Sequence, residues 1–179
     1  MDLRITQKSM IITERLEIKP LSSDDTDALV EMLTNSELTR CFMVPSYDSL
    51  DKYRELARKL ISFSAPDDTR HLECGVYLEG KLIGFINDCG IDGDTIEIGY
   101  AFHPDRWNKG YATEAVRAVL GALKNMGFGT VKAYYFTENP ASGRVMEKCG
   151  MSPTNEVTYE EYRGVTHECR GYVIRFVDR

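Results

Sequence analysis

The sequence predicts one mixed α/β (α+β) domain, and three observations carry that expectation. Short runs alternate apolar and polar residues with period two. The clearest opens TIEIGYAFHPDRWNKGYATE (Thr95 to Glu114), where Ile96, Ile98, Tyr100 and Phe102 share one face and Thr95, Glu97, Gly99 and Ala101 the other. Longer runs repeat apolar residues at helical spacing. The 179 residues are 42% hydrophobic and 28% charged, an ordinary globular composition in a chain long enough for a substantial core. With no repeat, low-complexity segment or linker, residues 1–179 read as a single domain.

Taken in order, Met10 to Pro20 alternates well enough for a first strand, with Ile12, Leu16 and Ile18 apolar. Ser22-Ser23-Asp24-Asp25 supplies an N-cap and first-turn acids for a helix whose apolar side carries Ala28, Leu29, Met32 and Leu33. After Pro45 a second helix spans Asp48 to Ser64, with Leu50, Tyr53, Leu56, Ala57, Leu60 and Ile61 in helical register. Two strands follow, His71 to Leu78 and Lys81 to Cys89, joined through the hairpin signal Glu79-Gly80. Asp92-Gly93 turns the chain into the strand that begins at Thr95.

The next helix places Ala112, Ala115, Val116, Val119, Leu123 and Met126 on one face and stops at Gly127. Thr130 to Phe136 is a strand, Glu138 to Cys149 a short helix closed by Gly150, and Glu156–Arg163 with Val165–Val177 a final hairpin.

Charge and cysteine usage exclude several classes. A net charge of −6 disfavours nucleic acid as a partner, since phosphate backbones need a basic face. It suits a cationic acceptor such as an amine. No apolar run approaches the ~20 residues that span a bilayer, and MDLRITQKSM has no signal-peptide core. The expectation is a cytoplasmic protein that engages no membrane. The five cysteines are widely spaced without a CxxC pair, so they read as small, mostly core residues and not as a zinc or disulfide framework. His167-Glu168-Cys169 reads as ordinary strand, and no metal site is expected.

The stretch from Thr95 to Glu114 carries the functional signal. A strand running through a glycine-bearing loop into a helix start leaves backbone N–H groups unsatisfied at the positive end of the helix dipole, an arrangement that suits phosphates. Arg106 and Lys109 add two cations to that loop. Many such connections bind nothing, and two loop cations are usually just solvated, so the wording of the loop decides. WNKGYATEA resembles the acyl-CoA-binding loop of the GNAT N-acetyltransferase superfamily, closest to the RimJ/RimL-like branch. About thirty residues further on, Asn139 to Met151 (NPASGRVMEKCGM) resembles that branch's second signature, with Met151 in place of the usual phenylalanine.

The resemblance implies the GNAT fold: a mixed central sheet of about seven strands flanked by about four helices, splayed between the fourth and fifth strands. It also implies acetyl-CoA as co-substrate. Backbone around Tyr100, Ala101 and Phe102 would pair with the pantetheine arm and polarise the thioester carbonyl. The loop residues Trp107, Asn108, Lys109, Gly110, Tyr111, Ala112 and Thr113 would hold the pyrophosphate. Asn108 replaces the usual glycine, and asparagine tolerates the positive φ such a loop needs. Asn139 would hydrogen-bond the pantetheine, and Ser142 would lie beside the sulfur as catalytic residue. Many GNAT enzymes place a thiolate-protonating tyrosine where this chain has Met146, which moves that role to Ser142.

Glu97 is the acid on the strand placed to be a general base, directly or through water; a solvated strand residue is the competing reading of the same position. The activity implied is direct acetyl transfer to a primary amine, without an acyl-enzyme, since no cysteine falls at a position the family motifs make catalytic. A protein or peptide N-terminal amine is the first acceptor expected and a small amine (polyamine, amino sugar or aminoglycoside) the second. A non-catalytic coenzyme A-binding module is the alternative of a different class. The protein is expected to be a monomer or homodimer.

Overall fold

The computed structural model describes Ile5 and residues 10–176. The chain enters the sheet as two strands where the alternation from Met10 to Pro20 predicts one. Ile11–Ile12 (β1) and Glu17–Lys19 (β2) pair antiparallel. Thr13 makes the break: its N–H donates to the Leu16 carbonyl at 2.9 Å, and its hydroxyl accepts from the Leu16 N–H at 3.0 Å. A side chain that closes a turn locally competes with a continuous ladder.

A single 3₁₀ turn at Ser23–Asp25, with the Ser22 N–H donating to Asp25 Oδ2 at 2.7 Å, leads into Thr26–Thr34 (α1). A one-turn helix, Ser36–Thr39 (α2), follows, capped by Asn35, whose Oδ1 accepts from the Glu37 and Leu38 N–H groups. The third helix is Leu50–Ser64 (α3). Then come Glu73–Leu78 (β3), Lys81–Asp92 (β4), Thr95–Phe102 (β5), Tyr111–Asn125 (α4), Thr130–Phe136 (β6), Pro140–Lys148 (α5), Ser152–Tyr162 (β7) and Val165–Arg175 (β8). The sequence reading carries the last strand to Val177, which lies outside the described residues. The β3–β4 connection is the expected two-residue turn, with φ of 51° at Glu79 and 76° at Gly80.

Among the described residues there are thus eight strands and five α-helices, against an expectation of about seven and four. The extra strand comes from the Thr13 break, and the extra helix, α2, is too short to show a period. The strand order is β1-β2-β3-β4-β5-β6-β8-β7, antiparallel throughout except for the parallel β5–β6 pair.

Each face of the sheet buries its own core. On one side Ile96, Ile98 and Val131 meet Val116, Val119 and Leu123 of α4 and Met146 of α5, all 2% exposed or less. On the other, Phe85 and Ala101 meet Leu29, Met32 and Leu33 of α1 and Ala57 of α3. Full burial of each large aliphatic side chain contributes about 1.5–3 kcal/mol. Met146 belongs to the first core at 1% exposure, so it is a packing residue. Gly143 lets α5 lie against β6, because a Cβ there would sit 2.9 Å from the Tyr135 ring.

Two irregularities in the sheet create the site. The β5–β6 ladder holds only from Thr95–Thr130 to Glu97–Lys132; from Ile98 to Phe102, β5 has no register with β6, although it stays paired with β4 as far as Phe102. This is the expected splay. Beside it β4 carries a bulge: Asp88 opposes Ile98 and Gly90 opposes Glu97, leaving Cys89 between. Bulges of this kind bend a strand and re-aim side chains next to functional sites.

Candidate active site

The splay opens a cavity of about 970 Å³. Of the site residues expected from the sequence, all line it except Lys109. Lys109 stays on the surface, where its Nζ donates to the Asp105 carbonyl at 2.8 Å and braces the loop. The expectation of mostly buried cysteines is corrected: Cys149 and Cys169 are buried, Cys41 and Cys74 half-buried, and Cys89 exposed at the bulge, where the extruded residue has lost its place in the ladder.

The end of the cavity nearest α4 is built from the loop upward. Trp107 donates its indole N–H to the Phe102 carbonyl at 2.7 Å and so fastens the loop to the end of β5, leaving the ring 39% exposed. Asn108 has φ 58°, the expected left-handed conformation, which asparagine tolerates, and Gly110 has φ 83°. Gly110 is the N-cap of α4, and the N–H groups of Tyr111, Ala112 and Thr113 lie in the first turn, where the helix offers them no acceptor. Arg106 of the loop and Arg144 and Lys148 of α5 also line the cavity and give this end positive charge. The last two were missed in the sequence, although their i, i+4 spacing two residues beyond Ser142 puts them on one helix face.

A clamp from the β1–β2 turn fixes this loop. Arg15 donates Nε to Glu114 Oε2 at 2.7 Å and Nη1 to the Lys109 carbonyl at 3.0 Å, and its guanidinium lies 4.6 Å from the Tyr111 ring centre. Glu114 also accepts from the Thr13 hydroxyl and the Arg15 N–H, at 2.6 and 2.9 Å. Burial alone would raise the Glu114 carboxyl, but these donors hold it below its ordinary value. A carboxylate with a lowered folded-state pKa stabilises above the ordinary value of about 4.3, and that contribution is lost as pH falls through the folded value. Glu114→Gln is therefore expected to cost about 1 kcal/mol at pH 7, discounted because Arg15 is partly exposed, and nothing once both states are protonated. Urea melts of the two proteins from pH 7 downward check this: the curves converge in acid.

The other end carries acids. Glu97 points from β5 into the cavity, which Glu73 of β3 and Glu160 of β7 also line. Burial pushes the Glu97 carboxyl above its ordinary value; Lys132, opposite it on β6, pulls it down and Glu160 pushes it further up. Glu97 is thus a half-buried carboxyl whose environment raises it above its ordinary range. Phe42 and Val44 of the loop after α2 wall this end, and the Tyr162 hydroxyl anchors that loop by donating to the Thr39 carbonyl at 2.8 Å.

Ser142 sits in the first turn of α5 and meets Tyr100 across the splay. The Tyr100 hydroxyl is 2.9 Å from the Ser142 carbonyl and 2.9 Å from Ser142 Oγ. Burial, opposed by the Ser142 hydrogen bond and reinforced by Cys149, raises the Tyr100 phenol well above its ordinary value. This hydroxyl pair was not legible in the sequence, where Tyr100 enters only through its backbone. Asn139, at the N-cap of α5, makes no side-chain cap bond. His167 stacks on Phe136 with ring centres 4.3 Å apart and bonds Glu138, as an ordinary strand residue does. No helix among the described residues is long and apolar enough to cross a membrane.

A parallel strand pair that splays is followed by a left-handed glycine at the start of the next helix, and the two open on one cavity. In comparison with known families, residues 15–152 match the acetyltransferase (GNAT) domain, and the chain belongs to that family. An uncharacterized N-acetyltransferase of Bacillus subtilis, YnaD, is 32% identical over 143 residues, which cover 79% of this chain and 81% of the relative. A GNAT-family acetyltransferase structure from Bacillus anthracis superposes with a TM-score of 0.77 at 28% identity, covering 93% of this chain and 98% of that one. RimL, the ribosomal L7/L12 alpha-N-protein acetyltransferase in complex with coenzyme A, gives a TM-score of 0.81 at 15% identity over 93% of this chain and 98% of its own, a likeness of fold.

Proposed function

We propose that this protein is an acetyl-CoA-dependent N-acetyltransferase whose acceptor is the N-terminal α-amine of a peptide or protein. The observation that carries the reading is one cavity with an anion-binding helix start at one end, the raised carboxyl of Glu97 at the other and the Ser142 hydroxyl of α5 lining it beside the unpaired part of β5. The residues fit the cofactor: the left-handed Gly110 turn and the first-turn N–H groups of α4 suit a pyrophosphate, and the free edge of β5 suits pantetheine amides. When bound, acetyl-CoA supplies an acetyl group activated as a thioester.

The chain's own groups do the rest. Backbone of β5 between Ile98 and Phe102 orients the thioester carbonyl and stabilises negative charge on its oxygen. Glu97 accepts the proton that the amine gives up as its lone pair forms the new C–N bond. Ser142 Oγ donates a hydrogen bond to the sulfur that leaves with the C–S electron pair. A thiol pKa near the ~8.5 of cysteine makes that sulfur a competent leaving group without a strong acid.

The acceptor assignment draws on two supports. RimL, named for N-terminal acetylation, shares the fold, and the acids at the Glu97 end suit a cation. At pH 7 an α-amine of pKa ~8 is about one-tenth neutral, whereas a lysine at ~10.4 is neutral about once in 2,500 molecules. The half-buried carboxyl of Glu97 is matched to the first task.

The test is a panel of acceptors offered with acetyl-CoA and read by mass spectrometry: a peptide with a free α-amine, the same peptide Nα-blocked, a polyamine and an amino sugar. Acetylation of the free peptide alone is expected. Acetylation of the polyamine or amino sugar in its place would move the acceptor to small amines. Cofactor binding with no product from any acceptor would favour the non-catalytic module.

A further inference from the structure

Resting on the reading above, we propose that Tyr100 is a positioning residue for Ser142: its phenol proton passes from the Ser142 carbonyl to the Ser142 hydroxyl as charge develops on the departing sulfur. Two equal distances carry this. Tyr100 Oη stands 2.9 Å from Ser142 O and 2.9 Å from Ser142 Oγ. A phenol has one proton, and a carbonyl oxygen can only accept. Two arrangements are therefore available.

In the first, Tyr100 donates to the carbonyl and the Ser142 hydroxyl turns back to the Tyr100 oxygen. In the second, Tyr100 donates to Ser142 Oγ and the Ser142 proton points into the cavity that Ser142 lines. The exchange needs only rotation about two C–O bonds, because no heavy atom changes distance. The Ser142 carbonyl lies inside α5, where the helix's own i+4 N–H is its regular partner, so it is not abandoned.

The second arrangement chains two hydroxyls, and each bond polarises the next. Such a chain favours a thiolate over a neutral thioester, so its contribution is concentrated in the transition state. Burial keeps the phenol neutral. The pair supplies a hydrogen bond and gives up no proton, and the C–S electron pair stays on sulfur until solvent protonates it. The fold explains the location. Tyr100 lies on β5 just past the last β5–β6 pair, held by its register with Ile86 on β4, and its side chain crosses the splay to α5. Met146, one turn further along α5, is buried in the core at 1% exposure, so it offers no polar group beside Ser142 and the phenol there comes from β5.

Tyr100→Phe removes only the hydroxyl. It is expected to lower kcat roughly 10- to 100-fold, the value of a hydrogen bond to a charged group. KM for acetyl-CoA should stay within about twofold, since ground-state binding is untouched. The Tyr100→Phe/Ser142→Ala double variant should be no slower than Ser142→Ala, because Tyr100 acts only through that serine.

A second readout needs no acceptor: ionisation of the bound coenzyme A thiol, followed by thiolate absorbance against the desulfo-coenzyme A complex. In the wild type it should titrate below the free thiol, and in both single variants it should move back up. Losses that multiply in the double variant, or a bound thiol that titrates alike in all three proteins, would overturn the proposal. If Tyr100→Phe does not fold, Ser142→Ala in the same titration decides it, an unmoved thiol again being fatal. Failure of the wild type to bind coenzyme A would overturn the underlying reading as well; binding with an unshifted thiol overturns this inference alone.

Discussion

Replacing Glu97 with glutamine is expected to slow acetyl transfer by about 10²–10⁴-fold for an acceptor that must be deprotonated on the enzyme, the usual contribution of a positioned base. The loss should be smallest for α-amines at high pH, where the acceptor arrives neutral. In the wild type, kcat/KM should rise with pH through a limb set by the raised Glu97 carboxyl, and the variant should lack that limb. The same substitution should stabilise the protein. Folding lifts the Glu97 pKa, so between the unfolded and folded values the native state binds the extra proton and stability falls as pH rises. Above that window the wild type carries the full cost. Glu97→Gln should melt higher than the wild type at pH 7 and at the same temperature below about pH 4, where the carboxyl is protonated in both states. A gain in stability paired with a loss in rate is what separates a tuned base from an ordinary strand residue.

Gly110→Val should remove most of the cofactor affinity. Gly110 holds φ at 83°, and a Cβ there would stand 3.3 Å from Arg15 Nη2 of the clamp. A β-branched residue in that region is strained by about 1–3 kcal/mol, which the loop relieves by moving the N–H groups that open α4. Binding of acetyl-CoA should weaken at least about tenfold, the equivalent of ~1.4 kcal/mol. Asn108→Gly is the control. Its φ of 58° is already left-handed, so glycine keeps the loop shape and affinity should stay within about twofold.

Much of the fold was legible because each long element repeats its own period. The apolar rows of β5 and α4 meet in the structure as one buried core. The Thr13 break is marked in sequence only by the polar run Thr13-Glu14-Arg15, which a single strand with one polar position on its apolar row also accommodates; the side chain closing the turn reveals it. The short helix α2 has no period to read, although Asn35 two residues ahead of Glu37 is a capping signal in hindsight.

At the site, the loop and the second motif placed Gly110, Asn139 and Ser142 by resemblance, and strand alternation placed Glu97. What the sequence withheld is what depends on elements meeting. Tyr100 and Ser142 are 42 residues apart, and Arg15 and Glu114 are 99 apart. Both pairs form only once the sheet has splayed and the β1–β2 turn has folded onto α4. Glu160 reaches the Glu97 end in the same way, from the strand at the sheet's edge.

The central claim is that the splay and the Gly110 turn form an acetyl-CoA site facing Glu97, and calorimetric titration of the wild-type protein with acetyl-CoA tests it most directly. One-to-one binding is expected, with melting stabilised by about 2.7 kcal/mol at a hundredfold excess over Kd and with the heat largely lost in Gly110→Val. A folded wild-type protein that neither takes up acetyl-CoA nor melts higher in its presence would contradict the account.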